Sequence, residues 1–424
     1  MLQRYPSRVE FSEDVPVVFM VVLAMVSTPV DTVRLQAADA LDLARRQAPR
    51  VTAAAARVEA TRYGVAAARA WRNPTLNVVA ENLGAQQEIT RRAGLAGVEG
   101  QATRSGWVPL GGDHGALIRA ARAQASGAAA GLALAEQEAA VAAVEGIAVV
   151  ERDRAALEAA RAEAAALERF AVAMTRRAEE GRTAGGDAAR ARLESAAAAA
   201  RVARIEAALL GSEATLARLL GFVPGTPLVI ASGVCSPGPL SPLPHAQAAA
   251  AAAQVAVARA ESDRQRGLAA PDLMPQVGLR RTGGFSGLIV GLSVDLPVLS
   301  RGRAAAAAAR AEAEAREVEY QAIVTRLAAE RHHAEQAVAV LEVSRRRFDA
   351  EWRRDLVRAL TAAEARYGAG EATLAELLDA RRARLAALDD YASWRAERRM
   401  ARAALARARG APVEAAVLCD DPSE

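Results

Sequence analysis

Glu376 and Asp379 come nearest to a chemical site in this chain of 424 residues. They stand three positions apart, so on a helix both carboxylates lie on one face. There they could serve a helical enzyme, or they could form a solvated acidic surface beside Arg381 and Arg382.

Sequence motifs of catalysis, metal binding and cofactor binding are absent. The histidines are His114, His245, His332 and His333. They show neither His-x-x-x-His nor His-Glu-x-x-His spacing, and neither Gly-x-x-x-x-Gly-Lys nor Gly-x-Ser-x-Gly occurs. His332 and His333 would point about 100° apart on a helix, which suits surface or packing residues better than a metal pair. We therefore expect no catalytic residues, no metal, no cofactor and no enzymatic activity.

The composition favours helices. Apolar residues make up 52% of the chain and aromatic residues only 4%, so Ala, Leu and Val supply most of the apolar fraction. Such a chain builds long helices that pack closely through small side chains. The net charge of +4 is too small, and the charges too interspersed, for a nucleic-acid-binding face.

The cysteines and the N-terminus bear on the cellular compartment. Cys235 and Cys419 are too few for a disulfide scaffold, and an oxidised pair between them stays open. The apolar run over residues 15–26 is too short to span a membrane and suits a secretory signal peptide. We therefore predict a signal peptide over residues 1–28. It is atypical, because acidic residues precede the apolar run and no clean cleavage site follows it.

Apolar periodicity predicts six helical stretches. They cover about residues 35–70, 113–180, 187–220, 244–269, 302–367 and 371–409. At ~1.5 Å per residue the two longest would each run about 100 Å. A soluble globular domain cannot bury so long a helix, so these helices must pack against one another or against other chains.

Four short segments between the helices read as strands. They cover about residues 75–82, 102–110, 276–282 and 288–296. The last has the clearest alternation, because apolar residues occupy every second position from Leu288 to Leu296. Membrane barrels have at least eight strands, so if these four span a membrane, several chains must share one barrel.

The chain contains an internal repeat, in residues of about 35–220 and 244–409. Each half reads helix, strand, loop, strand, long helix, turn and shorter helix. Irregular segments follow the halves at about 221–243 and 410–424. The summed helix lengths place both segments at a similar, equatorial height.

Several motifs stand in a fixed order along the two halves. They are Asn73-Pro74-Thr-Leu, Glu81-Asn82-Leu-Gly84, Pro109-Leu-Gly-Gly112, Leu292-Ser-Val-Asp-Leu-Pro-Val-Leu-Ser-Arg-Gly302, and the turn from Tyr367 to Arg381. With them the chain resembles the TolC-like outer membrane efflux proteins, and among these the heavy-metal branch of the cobalt-zinc-cadmium type. The resemblance covers nearly the whole chain after about Leu35.

The resemblance implies a mainly α fold class with a small β part. Long antiparallel helical hairpins would form a periplasmic α-barrel, and each chain of a homotrimer would give four strands to a shared twelve-stranded β-barrel in outer membrane lipid. The protein would lie in the bacterial outer membrane with a large periplasmic part.

The implied function is a passive exit duct of a tripartite efflux system. Substrates, heavy-metal cations in the preferred branch, would arrive from a periplasmic adaptor and an inner-membrane pump of the RND type, with no role for nucleic acid. A duct for drug efflux or type I protein secretion is an alternative. A non-channel Ala-rich helical scaffold is a more remote one, since a scaffold has no use for two strand pairs.

The resemblance also assigns a periplasmic gate. Glu376 and Asp379 would ring the closed entrance, favour cations there and make opening sensitive to pH and divalent ions. Tyr367 would tie the entrance shut through hydrogen bonds between helices. The first turn departs from the pattern, with Ala191 where some relatives hold Asp. We therefore hypothesise that the preceding Arg190 pairs with a carboxylate of the second hairpin.

Two further surfaces are expected. By resemblance, the hairpin tips would contact the adaptor through Gly181, Gly185, Gly186, Gly368 and Gly370. Trp71 and Trp107 each lie near a predicted strand end, which suits an aromatic girdle at a membrane interface, with ordinary packing as the alternative.

Overall fold

The computed structural model describes residues 33–81, 99–109, 113–223, 225–231, 245–268, 272–282, 285–294, 302–345, 348 and 350–413. The helices in these ranges are α1 (Ala37–Gln47), α2 (Pro49–Arg69), α3 (Asp113–Glu179), α4 (Gly185–Leu219), α5 (Ala246–Gly267), α6 (Arg303–Arg345), α7 (Ala350–Ala369) and α8 (Leu374–Arg409). The strands are β1 (Val33–Gln36), β2 (Thr75–Glu81), β3 (Glu99–Ser105), β4 (Val108–Pro109), β5 (Leu228–Ala231), β6 (Asp272–Thr282) and β7 (Phe285–Val294). The predicted fold class, mainly α with a small β part, is confirmed.

Helix α3 is the central helix of the fold. Its 67 residues span about 100 Å and contact α1, α2, α4, α5 and α8. Glycines let neighbouring helices come close: a Cβ added at Gly127 would lie 3.2 Å from Val257 of α5, and one at Gly146 would lie 3.0 Å from Leu216 of α4. The helices that flank the strands in the chain lie side by side in the order α2, α3, α5, α6.

The prediction of one helix over residues 35–70 is wrong. The chain forms β1, then α1, then α2, with Ala48 in an extended conformation (ψ 135°) between the helices. Pro49 causes the break, because a proline disfavours helical geometry in the residue before it and suits the first turn of the next helix. Strand β1 pairs in parallel with β5.

The prediction of one helix over residues 302–367 is also wrong. Helix α6 ends at Arg345 and α7 begins at Ala350. Between them the ring of Phe348 packs against Trp352 and Trp394, with ring centroids 5.2 Å away in each case. Trp394 also donates its indole N–H to the hydroxyl of Ser344 at 2.8 Å. The packing of these rings takes the place of a continuous helical turn.

The long strands form an antiparallel sheet in the order β2, β3, β6, β7. The predicted strand 102–110 is interrupted at Gly106 and Trp107, and its second part, β4, pairs with the start of β6. Cross-strand partners share a face, so the register separates an apolar face from a polar one. The apolar face carries Leu76, Val78, Ala102, Val277, Leu279, Leu288, Val290 and Leu292, together with Arg104 and Arg281. The other face is more polar and carries Asn77, Gln101, Thr103, Gln276, Arg280 and Ser293, together with Val79, Met274 and Ile289.

The main hydrophobic cluster lies at the level of α1 and the β1–β5 pair. It joins Leu41 of α1, Ile147 of α3, Leu216 of α4, Leu228 of β5 and Val413 beyond α8. The described parts of both irregular segments thus enter one cluster. Residues 1–28, the motif residues 82–84, and Cys235 and Cys419 lie outside the described residues.

Candidate functional site at the hairpin tips

The two helical hairpins, α3–α4 and α7–α8, turn through the same motif. Gly181 and Gly370 both adopt left-handed backbone conformations, with φ of 71° and 78°, which glycine reaches without steric cost. The closing bonds run from the amide of Arg182 to the carbonyl of Arg177 (2.8 Å) and from the amide of Glu371 to the carbonyl of Arg366 (2.9 Å). This Schellman geometry makes the two tips structurally equivalent.

Arg190 and Asp379 occupy equivalent positions on the two tips. Each stands nine positions after the left-handed glycine of its own hairpin. Both side chains are exposed, so matching places on the two tips carry opposite charges.

Glu376 caps the N-terminus of α8, a role that was not predicted from the sequence. Its carboxylate accepts a hydrogen bond from the backbone amide of Thr373 (2.7 Å), and its own amide donates to the hydroxyl of Thr373 (3.3 Å). This is a complete capping box at the start of α8. The carboxylate remains exposed.

Asp379 lies on the same face and belongs to an ion-pair chain. Its carboxylate accepts from Arg382 at 3.1 Å, and Arg382 also pairs with Glu194 of α4. The link nearest the tips therefore runs from a second-hairpin arginine to a first-hairpin carboxylate. Farther along the hairpins, Arg201 of α4 lies 3.7 Å from Asp389 of α8, which is a pair of the opposite sense. Arg190, proposed from the sequence for the opposite arrangement, forms no ion pair with any residue that the structure describes.

Tyr367 joins the two hairpins by packing. Its ring meets Phe170 edge-on at 5.8 Å, and its hydroxyl donates to the sulfur of Met174 at 3.3 Å. Burial raises the pKa of the Tyr367 hydroxyl above its ordinary value, and the charge of Asp187 adds to the rise, while Arg177 opposes it.

Ala191 has a packing explanation. Its side chain is fully buried against Ala171, Met174 and Ala188. An Asp at this position would place a carboxylate in an apolar contact, so the departure of the first turn from the pattern follows from the packing of its own hairpin.

The most deeply buried ion pair, between Arg381 and Glu163, was not predicted from the sequence. Arg381 of α8 donates to Glu163 of α3 at 3.3 Å and to Glu364 of α7 at 2.6 Å, and Arg384 lies 3.9 Å from Glu163. Glu163 is only 4% exposed. The signal was present: Ala160 and Leu167, three positions before and four after, are both buried, so Glu163 falls on the buried stripe of α3.

The remaining candidates lie away from this site. The five tip glycines, Gly181, Gly185, Gly186, Gly368 and Gly370, are exposed, and a Cβ added to any of them would meet no atom within 4 Å. Trp71 and Trp107 lie in contact at 6.3 Å beneath the sheet. His332 contacts Gln336 on the exposed side of α6, while His333 is exposed.

Comparison with known proteins agrees with this architecture. Residues 40–222 match the family model described as outer membrane efflux protein. The outer membrane protein VceC of Vibrio cholerae aligns with a TM-score of 0.73 at 19% identity, covering 89% of this chain and 97% of its own. The outer membrane channel CmeC of Campylobacter jejuni gives 0.73 at 13% identity, covering 92% and 90%. The outer membrane channel MtrE of Neisseria gonorrhoeae, in its open state, gives 0.67 at 19% identity, covering 89% and 90%.

These findings together support the TolC-like outer membrane efflux family. The structural likeness shows that the chain has the TolC-like fold, and the match over residues 40–222 supports outer membrane efflux as the activity. Proteins of this family are channels and not enzymes. No curated protein sequence matches the chain significantly. Within the described residues, no helix carries an apolar stretch of the length that crossing a bilayer requires.

Proposed function

We propose that the protein is the outer membrane exit duct of a tripartite efflux system and works as a homotrimer. The observation that carries this proposal is the sheet. Its apolar face is uncovered, with Leu288 70% and Val290 76% exposed, and its edge strands β2 and β7 each pair on one side only within the described residues. A lipid-facing surface and open edges on the same sheet are what a shared barrel requires.

The outer helices of the helical layer, α2 and α6, lie next to the edge strands of the sheet in the chain. Helix α2 leads into β2 and α6 follows β7, so the edges of the helical layer continue those of the sheet. Each outer helix has a stripe of exposed, mostly small residues at coiled-coil spacing. The stripe on α6 is Ala304, Ala308, Ala311, Ala315, Val318 and Ala322, and that on α2 is Ala53, Ala56, Ala60, Tyr63 and Ala67. Pairing α6 of one copy with α2 of the next would close a ring.

The proposed ring has three members, because three copies would supply twelve long strands, whereas two would supply only the minimum of eight. In such a ring the hairpin tips would alternate around the periplasmic entrance. Arg190 and Asp379 of neighbouring hairpins would then meet with opposite charges. Glu376, exposed beside Asp379, would add negative charge to this gate.

The first hairpin offers a surface for the periplasmic adaptor. A groove of about 740 Å³ runs between α3 and α4 next to the tip, and its walls include Ala164, Ala171, Ala196 and Ala199. Small side chains let a partner helix approach closely. We propose that this groove and the tip glycines receive the adaptor, which delivers substrates from an RND-type pump.

The substrate class we propose is heavy-metal cations, on the resemblance of the sequence motifs. Drug efflux and type I protein secretion are the competing assignments within the same architecture. A strain that lacks the gene separates them: the proposal expects increased sensitivity to cobalt, zinc or cadmium, and increased sensitivity to drugs alone contradicts it.

The test of the channel itself is fractionation of a double-membrane bacterium that expresses the protein. We expect it in the outer membrane as a band of trimer size that collapses to the monomer on heating. Recovery as a soluble monomer from a correctly processed protein would contradict the proposal and favour a helical scaffold.

A further inference from the structure

A basic and aromatic cluster lies at the foot of the sheet, where α2 passes into β2. Trp71 stacks on His114 with ring centroids 5.3 Å apart, and it meets Trp107 edge-on at 6.3 Å. The guanidinium of Arg72 lies 4.6 Å from the ring centre of Trp107. Trp107 in turn donates its indole N–H to Asp272 at 2.8 Å. These side chains come from four separate segments of the chain, so the fold itself assembles the cluster.

The cluster presents its polar and aromatic groups to the outside. Trp71 is 65% exposed, and Arg72 is exposed as well. Asp272, the acidic member, is occupied by the indole of Trp107. The indole holds the carboxylate of Asp272 in place without cancelling its charge. Exposed arginines outnumber this one carboxylate, because Arg69 and Arg119 lie within two helical turns of Trp71 and His114 and add to Arg72.

A second arginine stands on the apolar face just beyond the cluster. Arg104 of β3 pairs in register with Leu76 of β2, four positions after Arg72. Arg104 is exposed and forms no ion pair with any described residue. An arginine on a mostly apolar surface that faces lipid needs a polar partner that it can reach along its flexible stem.

We propose that this cluster binds the phosphate groups of anionic phospholipids in the leaflet next to the helices. Guanidinium groups match phosphate oxygens in paired hydrogen bonds, and tryptophan rings favour the depth at which headgroups meet acyl chains. Arg72 and Arg104 hold the phosphate, while Trp71 and Trp107 fix the depth of the sheet. The inference rests on the proposed membrane insertion and deepens it by naming the lipid chemistry at its boundary.

Tryptophan quenching by brominated lipid tests the inference. The chain has four tryptophans, and Trp394 contacts α6 at Leu341, 38 residues or about 55 Å below the start of that helix. Trp352 belongs to the same ring cluster as Trp394. In vesicles, brominated lipid therefore reaches only Trp71 and Trp107.

The experiment uses the full-length protein in phosphatidylcholine vesicles that contain either brominated phosphatidylglycerol or brominated phosphatidylcholine. Since one arginine near an anionic surface corresponds to about a fivefold preference, the wild type should prefer phosphatidylglycerol by at least that factor. The double variant Arg72→Gln/Arg104→Gln should show nearly equal quenching. Arg57→Gln, an exposed α2 arginine 15 residues or about 22 Å below Arg72, should keep the wild-type preference.

Three outcomes would overturn the inference: equal quenching in the wild type, an unchanged preference in the double variant, or an equal loss in Arg57→Gln. Insertion is scored separately by the heat-sensitive trimer band. A wild type that inserts but shows no lipid preference defeats this inference alone, whereas a wild type that does not insert defeats the proposed function. If the double variant is unstable, delipidated wild-type trimers titrated with each lipid in native mass spectrometry give the same comparison.

Discussion

Glu163 is the most deeply buried charged side chain among the described residues, at 4% exposure. It receives Arg381 and Arg384 from the second hairpin. Glu163→Gln keeps the shape but leaves Arg381 with Glu364 as its carboxylate partner, so we expect a loss of about 3 kcal/mol in the free energy of unfolding. Denaturant unfolding followed by circular dichroism measures this loss.

The control for this change is Glu158→Gln. Glu158 lies on the same helix, but its side chain is exposed and forms no ion pair with a described residue. We expect a change below about 0.5 kcal/mol. Equal effects of the two substitutions would show that the Glu163 contacts add nothing beyond the general charge of α3.

Tyr367 makes the contact between the hairpins sensitive to alkali. Because its pKa is raised in the folded protein, its stabilising contribution is complete below the ordinary tyrosine pKa of about 10 and is lost as pH rises through the higher folded value. We expect wild-type stability to fall in that range. Tyr367→Phe keeps the packing against Phe170 and removes the ionisation, so stability measured against pH should fall less steeply. An identical alkaline profile in the variant would contradict this assignment.

The two hairpin tips are a pair of equivalent elements with opposite charges at Arg190 and Asp379. If these side chains meet across neighbouring hairpins of the ring, Arg190→Ala should raise the leak conductance of the closed channel about fivefold, the effect of losing an exposed ion pair worth ~1 kcal/mol. Asp379→Asn should act alike. The double variant should leak no more than either single one, because both remove the same interaction.

A matched control accompanies the conductance measurement in planar bilayers. Arg192→Ala removes an exposed arginine two positions along α4, on the opposite side of the helix, and should leave the leak unchanged. Unchanged conductance in Arg190→Ala would count against the pairing, and additive effects in the double variant would show two independent contacts.

The elements differ in how far the sequence could predict them. The α3–α4 hairpin and β2 lie within two residues of their predicted bounds, because apolar periodicity, Pro74 and the turn glycines act locally. The break at Ala48 is equally local, because Pro49 alone disfavours helical geometry at Ala48. The break after Arg345 could not be predicted from the local sequence. It depends on the packing of Phe348 against Tyr391 and Trp394 of α8, which lie about 45 residues away in the chain.

Among the site residues, too, local features could be predicted from the sequence and contacts between distant segments could not. Glu376 and Asp379 were placed correctly on one face, but the capping role of Glu376 was missed, although Thr-x-x-Glu in residues 373–376 is a recognisable signature. The contacts of Glu163 and Glu194 with the second hairpin join residues about 190 to 220 positions apart. Only the packing of one hairpin on the other brings them together, so neither hairpin alone predicts the pair.

At the scale of the whole molecule, the proposed trimer depends on the exposed stripe of α6. Small residues on a coiled-coil stripe allow close helix approach only if they remain small. Ala315→Glu would place a charge in the middle of the α6 stripe, where pairing with α2 of the next copy would bury it. We expect the heat-sensitive trimer band to be lost, while circular dichroism shows unchanged helix content, because Glu is a good helix former.

Ala315→Ser is the matched control, since it keeps a small side chain at the same position. It should retain the trimer with at most a modest drop in its dissociation temperature. Trimers that survive Ala315→Glu would place the subunit contact elsewhere than on this stripe, and loss of helix content would trace the effect to folding. A selective loss of the trimer would mean that the edges of the helical layer and of the sheet close together, since α6 directly follows β7 and α2 directly precedes β2.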